Sequence, residues 1–119
     1  MVSSEKFVAK LLREEGFEAF HEPLTGVEPD VIAFDPNSKR LIIIEVKWGK
    51  SVDSSAVAQV CRYSEKLRPF FSKMGFNVDV WIIALHATAY QLERLKECNV
   101  RFIPIDEMFY HINKLLGKR

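Results

Sequence analysis

The sequence predicts an α/β domain with a central mixed sheet flanked by helices. Two apolar stretches, "RLIIIEVK" (residues 40–47) and "VDVWIIAL" (residues 78–85), have the length and the β-branched content of buried strands. Between them, residues 54–74 place apolar side chains at helical spacing. Alternating strand and helix signals are typical of layered α/β folds, and the remaining elements fit that order.

The N-terminal segment is predicted to form a helix and then a short strand. Ser3 or Ser4 can cap a helix that ends near Glu15, because Gly16 favours a helix C-terminus. The alternating stretch "FEAFH" (residues 17–21) has the period of a strand.

A hairpin is predicted next. After a loop with two prolines and a glycine, "DVIAF" (residues 30–34) forms a second strand. The turn residues of "DPNSK" (residues 35–39) then connect it to the apolar strand 40–47. The two strands therefore run antiparallel and lie side by side.

A long helix follows the hairpin. Asp53 or Ser54 caps it, Gly75 ends it, and Pro69 is predicted to kink or split it. The strand at residues 78–85 comes next along the chain.

The C-terminal part supplies two helices and a strand. Thr88 and Gln91 form a T-x-x-Q capping box for a helix that ends near Cys98. "VRFIPI" (residues 100–105) is the last strand, and Asp106 caps the final helix. The predicted order is α-β-β-β-α-β-α-β-α.

Length and composition favour one domain over residues 1–119. No apolar run has the length of a membrane span or of a signal peptide, so no membrane association is expected. Cys61 and Cys98 form no C-x-x-C pair, and we expect two reduced cysteines in or near a core rather than a zinc site or a disulfide. A cytoplasmic protein is the expectation that follows.

Charge is unevenly distributed although the net charge is only +1. Residues 1–38 hold three Lys or Arg against eight Asp or Glu, whereas residues 39–73 hold eight Lys or Arg against three acids. The middle third is therefore a candidate surface for a polyanion. A solvated helix face with ordinary lysines is the alternative.

Three charged residues bracket the apolar strand of the hairpin. Because side chains alternate along a strand, Glu45 and Lys47 share one face near its end. Asp30 opens the preceding strand, and in an antiparallel hairpin that position lies beside the end of the next strand. We therefore expect Asp30, Glu45 and Lys47 to converge at one edge of the sheet.

This combination of residues points to phosphodiester hydrolysis. Two carboxylates supply the hard oxygen ligands that Mg²⁺ prefers. A bound cation lowers the pKa of a bound water and neutralises charge on a phosphoryl oxygen. Lys47 then adds a fixed positive charge that can help to deprotonate the water or stabilise the transition state.

The same residues carry a family resemblance. Pro29-Asp30 followed by Glu45-Val46-Lys47 matches the PD-(D/E)xK motif of the restriction-endonuclease-like nuclease superfamily, and the element order resembles its α-β-β-β-α-β core. Glu5 lies on the first helix, where many members place an additional metal-binding acid. Gln59 and Tyr63 form a Q-x-x-x-Y pattern that resembles the RecB-like branch, in which the pair supports the active site and contacts DNA.

Two groups within the superfamily are particularly similar. Residues 26–106, about three quarters of the chain, resemble the C-terminal nuclease domain of archaeal NucS-type endonucleases. The first 60 residues, roughly half of the chain, also resemble archaeal Holliday junction resolvases.

The resemblance implies a Mg²⁺- or Mn²⁺-dependent deoxyribonuclease that is directed by DNA structure more than by sequence. It implies endonuclease rather than exonuclease action, in DNA repair, recombination or defence. Asp30, Glu45, the Val46 carbonyl and Glu5 are the expected metal ligands, and the expected catalytic residues are Asp30, Glu45, Lys47, Gln59 and Tyr63. Expected DNA contacts come from Trp48, Lys50, Arg62 and Lys66.

The sequence departs from relatives in three ways. Two cysteines cannot hold the iron–sulfur cluster of some RecB-like nucleases, so no such cluster is expected. His21 is a doubtful counterpart of the RecB-like histidine because it ends a short strand. The chain has no counterpart of the N-terminal DNA-binding domain of NucS proteins, so their mismatch specificity is not implied.

Two alternatives stay open. A nucleic-acid-binding or scaffolding protein could keep this fold without turnover, although an intact D…E-x-K favours an enzyme.

The oligomeric state is the second open question. Cutting two strands needs two copies of a one-site domain, which favours a homodimer over a monomer or a subunit of a larger nuclease complex. The expected interface is the last strand and the C-terminal helix, with Met108, Phe109, Ile112, Leu115 and Leu116.

Overall fold

A computed structural model describes residues 4–14, 16–20, 30–35 and 37–115, apart from the side chains of residues 4–6, 20, 48–50 and 115. The elements run in the predicted order. They are α1 (Ser4–Glu14), β1 (Glu18–Phe20), β2 (Val31–Asp35), β3 (Arg40–Ser51), α2 (Ser54–Lys73), β4 (Asn77–His86), α3 (Ala89–Glu97), β5 (Val100–Pro104) and α4 (Met108–Leu115).

The strands form one mixed sheet in the order β1-β2-β3-β4-β5. β1, β2 and β3 are antiparallel neighbours, whereas β3, β4 and β5 are parallel. Parallel strands need a crossover between them, and α2 and α3 supply the two crossovers. The predicted α/β architecture with a central mixed sheet is confirmed.

Each face of the sheet has its own apolar core. Leu41 and Ile43 of β3 pack with α2, while Ile42 and Ile44 pack on the other face with α1 and α4. This alternation follows from the two-residue period of a strand. It also places Glu45, the next residue in the first series, on the α2 face.

Local turn and cap signals form as the sequence predicts. Lys39 has a positive φ of 60° in the β2–β3 turn, and its N–H donates to the Asp35 carbonyl over 3.0 Å. At α3 the Thr88 hydroxyl accepts from the Gln91 N–H, and the Gln91 side chain accepts from the Thr88 N–H. These contacts give partners to backbone N–H groups that the helix N-terminus and the turn would otherwise leave without a hydrogen bond.

Two element predictions are wrong. Pro69 does not split α2, which is one helix with the proline inside it, whereas a kink there stays a prediction; the ring is exposed, so the carbonyl that loses its partner can be hydrated. Asp106 lies within a 3₁₀ turn (Ile105–Glu107) that precedes α4 and has no side-chain cap. In addition, β3 continues to Ser51, with a register shift against β4 after Lys47.

The prediction of two reduced cysteines is also wrong. Cys61 of α2 and Cys98, which caps the C-terminus of α3, form a disulfide with their Cα atoms 5.6 Å apart. Disulfides persist mainly in oxidising compartments and in intracellular proteins of hyperthermophiles. The disulfide therefore removes one argument for a cytoplasmic location, which stays a prediction.

No helix in the described part of the chain is long and apolar enough to cross a membrane.

Candidate active site

The β2–β3 hairpin brings Asp30 beside the end of β3. Val31 pairs with Ile44, so Asp30 lies opposite Glu45 in the antiparallel register. The Asp30 carboxylate accepts a hydrogen bond from the Val46 N–H over 2.8 Å. A side chain, rather than a backbone carbonyl, thus holds this amide and fixes the carboxylate against β3.

Glu45 is the buried member of the group, with only 3% of its surface exposed. Its Oε2 lies 3.6 Å from the Nζ of Lys47, whose side chain is about one-third exposed. Its Oε1 is buried and has no hydrogen-bond partner among the described residues. A buried carboxylate oxygen without a donor is costly, so this atom is suited to an additional ligand.

The electrostatic setting raises the pKa of Glu45 from 4.5 to about 7. Burial is the largest cause, and the negative charge of Asp30 raises the pKa further. The positive charge of Lys47 acts in the opposite direction, and so does its hydrogen bond. One lysine does not compensate for two adjoining carboxyl groups. The site thus has a surplus of negative charge that a cation would relieve.

The donors present fit a divalent metal at this edge. Asp30 and Glu45 supply two hard carboxylate oxygens, and Glu45 Oε1 is unused by any described residue. The described part of the chain contains no cluster of three or more His, Cys, Asp or Glu side chains for a metal. A small cation of this kind needs only one or two carboxylates and keeps several waters.

The side chains of Glu5, an expected metal ligand, and of His21, a doubtful one, fall outside the described part of the chain. Glu5 lies in the first turn of α1, but its side chain is outside the described part. The buried face of α1 packs against the sheet face opposite Glu45. His21 lies outside the described residues altogether.

Gln59 and Tyr63 lie on the same face of the sheet as Glu45 and Lys47. The Gln59 amide donates to the Tyr63 hydroxyl over 2.9 Å, and Tyr63 is buried in the core beneath α2. Their spacing of four residues places both on one side of the helix. The resemblance implies that this pair supports the active site, and the contact shown here is between its two side chains.

The expected DNA-contacting residues are only partly visible. Arg62 and Lys66 are exposed on α2. Trp48 and Lys50 lie in the last part of β3, and their side chains are outside the described part.

The basic segment of residues 39–73 does not form one patch, because β3 starts and α2 ends at the sheet end opposite Glu45. Arg40 and Lys73 therefore lie far from the candidate site.

One polar cluster was missed by the sequence reasoning. Arg68 donates to the Val78 carbonyl over 2.6 Å and to the Asn99 carbonyl over 2.7 Å, while Ser64 donates to the Cys98 carbonyl. Together with the disulfide from Cys61, these contacts fix α2 against the turn between α3 and β5. The only signal in the sequence is the spacing of residues 61, 64 and 68, which lie on one face of a helix.

Solved structures with the same fold include a repair endonuclease, EndoMS and a protein of unknown function. A repair endonuclease from Pyrococcus abyssi matches with a TM-score of 0.61 and 26% identity, over 87% of this chain and 47% of that chain. An EndoMS–double-stranded DNA complex matches with a TM-score of 0.58 and 21% identity, over 86% of this chain and 45% of that one. The protein of unknown function matches with a TM-score of 0.58 and 18% identity, over 95% and 65% of the two chains.

The chain spans about half the length of the two endonucleases that it matches. No protein-family model matches it, and no curated protein matches it significantly. The likeness therefore concerns the fold of one domain, and it agrees with the motif and with the element order. The chain has the restriction-endonuclease-like fold that the repair endonucleases share.

Proposed function

We propose that this protein is a metal-dependent deoxyribonuclease that acts in DNA repair. The observation that carries the proposal is the convergence of Asp30, Glu45 and Lys47, with one buried Glu45 oxygen left without a donor. An ion pair that served only for stability would not need a second carboxylate beside the first. The structural neighbours, a repair endonuclease and an EndoMS–DNA complex, support the same class of reaction and DNA as the partner.

Mg²⁺ or Mn²⁺ is the cofactor that the donor set fits. Asp30, Glu45 and the Val46 carbonyl would hold it, with Glu5 in or near its shell. Once bound, the ion supplies charge neutralisation at the phosphate and a more acidic water. Asp30 is already oriented by its hydrogen bond to the Val46 N–H, so that carboxylate needs little reorganisation to bind.

Lys47 acts on the reacting phosphate in this proposal. Hydrolysis forms a bond from a water oxygen to phosphorus and breaks one P–O ester bond, while negative charge develops on the phosphoryl oxygens. The ammonium of Lys47 is held beside Glu45 by the ion pair and stabilises that charge. Gln59 and Tyr63 position the α2 side of the site through their mutual hydrogen bond.

A structure-directed endonuclease is the form of the activity that we favour. The exposed side chains of Arg62 and Lys66 offer positive charge for phosphates but no pattern for reading bases. Trp48 and Lys50 extend this surface beyond Lys47 in the proposal. Binding is then weakly dependent on sequence and falls steeply with salt.

We also propose a homodimer, with an interface smaller than the sequence predicted. Met108 and Ile112 are buried in the chain's own core, so they are not available to a partner. Phe109 and Tyr110 are more than half exposed on α4, and β5 is an edge strand. Leu115 and Leu116 lie outside the described side chains. Light scattering at micromolar concentration, with and without DNA, tests this point.

An activity screen tests the proposed function. The purified protein is incubated with Mg²⁺ or Mn²⁺ on linear, nicked, flap, single-stranded and four-way DNA. We expect cleavage of at least one branched or damaged substrate, abolished in Asp30→Ala and Glu45→Ala, while Lys10→Ala on α1 serves as a control of wild-type activity. DNA binding without cleavage of any substrate would contradict the proposal and favour the non-catalytic alternative.

A further inference from the structure

A basic depression lies at the end of the sheet opposite the candidate active site. It has a volume of about 430 Å³ and is formed where β4 and β5 begin. Its polar and aromatic lining comes from Arg68, Asp79, Trp81, Lys96, Asn99 and Arg101. A second depression of about 280 Å³ shares Asp79 and Arg101 with it and adds Arg40 and Lys114.

The charges of this depression are mostly positive and unpaired. Arg68, Lys96 and Arg101 form no ion pair with any carboxylate in the described part of the chain. Asp79 is the single acid of the lining. The hydrogen bonds of Arg68 go to the carbonyls of Val78 and Asn99 and to the Ser64 hydroxyl, so its positive charge is held in place without being neutralised.

An unused hydrogen-bond donor lies at the same place. Trp81 is 1% exposed and forms part of the wall, and its Nε1 has no acceptor among the described residues. A buried N–H that has no protein acceptor is usually satisfied by a hydrogen bond to a water or a ligand. One fixed cation, two exposed cations and an unused donor are features that suit an oxyanion.

We propose that this depression binds backbone phosphates of the DNA that reaches the candidate active site. The inference rests on the proposed function and extends it by a second contact region. Nucleic acid is the occupant that the charge favours, because the cations continue around Asp79 into the second depression and so form a track rather than one closed pocket.

The separation of the two regions sets a length requirement. Asp79 and Ala84 lie five residues apart on β4, and Ala84 pairs with Lys47, so Asp79, at the far end of the depression, lies about 17 Å from Lys47 along the sheet. At about 3.4 Å per base pair, that distance corresponds to roughly five base pairs of duplex. DNA shorter than this cannot contact Lys47 and the far end of the depression at once.

The test compares charge variants in DNA binding at several salt concentrations. Lys96→Gln/Arg101→Gln removes two exposed cations, and Arg68 is left intact because its hydrogen bonds hold the fold. On a duplex of about 30 base pairs we expect the Kd to rise about tenfold and the salt slope to fall by about 1 to 2 units. Asp79→Asn should shift the Kd in the opposite direction.

Controls separate this inference from the proposed function. Lys96→Gln alone is matched by Lys10→Gln, an exposed lysine of α1 outside both depressions, which should bind as the wild type does. Cleavage of a DNA hairpin with a stem of about three base pairs, which is too short to reach the depression from the candidate active site, should be unchanged in the double variant. If the wild type binds DNA without cleaving it, a rise in the Kd of the double variant relative to the wild type would still support phosphate binding in the depression. An unchanged Kd and salt slope in a folded double variant, with the wild type cleaving normally, would overturn it.

Discussion

Glu45 and Lys47 form an ion pair in which only one carboxylate oxygen takes part. Oε2 lies 3.6 Å from the Lys47 Nζ, whereas Oε1 is buried without a partner among the described residues. Asp30 adds a second carboxyl group beside the first, and the pKa of Glu45 rises to about 7 as a result of burial and that neighbour. The site is therefore destabilised in its ionised form unless a cation is present.

The first prediction concerns stability against pH in the absence of metal. The folded protein holds a proton on Glu45 up to about pH 7, whereas the unfolded chain releases it near 4.5. The native state therefore binds more protons between these values, so the free energy of unfolding falls as pH rises through this window. Glu45→Gln keeps the shape of the side chain and removes the effect.

Thermal unfolding in a chelating buffer measures this pH dependence of stability. From about pH 5 to about pH 8 we expect the wild type to lose on the order of 2 kcal/mol relative to Glu45→Gln. Parallel stability curves for the two proteins would show that the carboxyl group titrates normally.

The second prediction concerns Lys47. Lys47→Ala should lower the cleavage rate by about 10²- to 10³-fold, because a fixed charge beside the reacting phosphate is removed. DNA affinity should be nearly unchanged, since one cation is a small part of the phosphate-contacting surface. Lys47→Arg should not restore the rate, because the larger, planar guanidinium does not place its charge where the compact ammonium does. Normal cleavage without Lys47 would exclude it from the mechanism.

The third prediction concerns Gln59 and its hydrogen bond to Tyr63. Gln59→Leu should lower turnover far more than it lowers the unfolding temperature, because the half-buried amide serves the site and not the core. Tyr63→Phe is the matched variant, since it keeps the ring in the core and removes only the hydroxyl. Equal losses of stability and activity in Gln59→Leu would identify Gln59 as an ordinary structural residue.

The fourth prediction concerns the disulfide between Cys61 and Cys98, which closes a loop across 37 positions. Its reduction should cost about 4 kcal/mol, by releasing conformational entropy in the unfolded chain. The unfolding temperature should then fall by on the order of 10 °C. Cys61→Ala/Cys98→Ala should unfold at the same temperature with and without reductant. A wild-type protein that is equally insensitive to reductant would show that the bond does not form in solution.

The sequence is sufficient for the parts of the fold that depend on local patterns. The alternation of β3 predicts which residues lie on each face, and the hairpin places Asp30 beside Glu45. The Thr88–Gln91 capping box is likewise a contact between residues three positions apart. These features follow from strand and helix periods and from turn chemistry, which are readable in a short window.

The features that the sequence does not predict depend on contacts between distant segments. Cys61 and Cys98 come together only because α2 packs beside the end of α3. Arg68 donates to carbonyls of β4 and of the turn between α3 and β5, and any residue type can supply a backbone carbonyl, so the sequence does not indicate these contacts. The pKa of Glu45 is raised mainly because the side chain is buried, and the motif alone does not indicate that burial.

Calorimetric titration of the wild-type protein with Mn²⁺ and Mg²⁺ tests the central claim most directly. We expect binding of one divalent ion at or below millimolar concentration, lost in Asp30→Ala and in Glu45→Ala. Because a metal ligand must be deprotonated, the affinity should rise with pH and level off above about pH 7, the pKa of Glu45 in the free protein. Lys10→Ala should bind as the wild type does. Absence of binding at millimolar metal, with and without DNA, would contradict a metal site formed by Asp30 and Glu45.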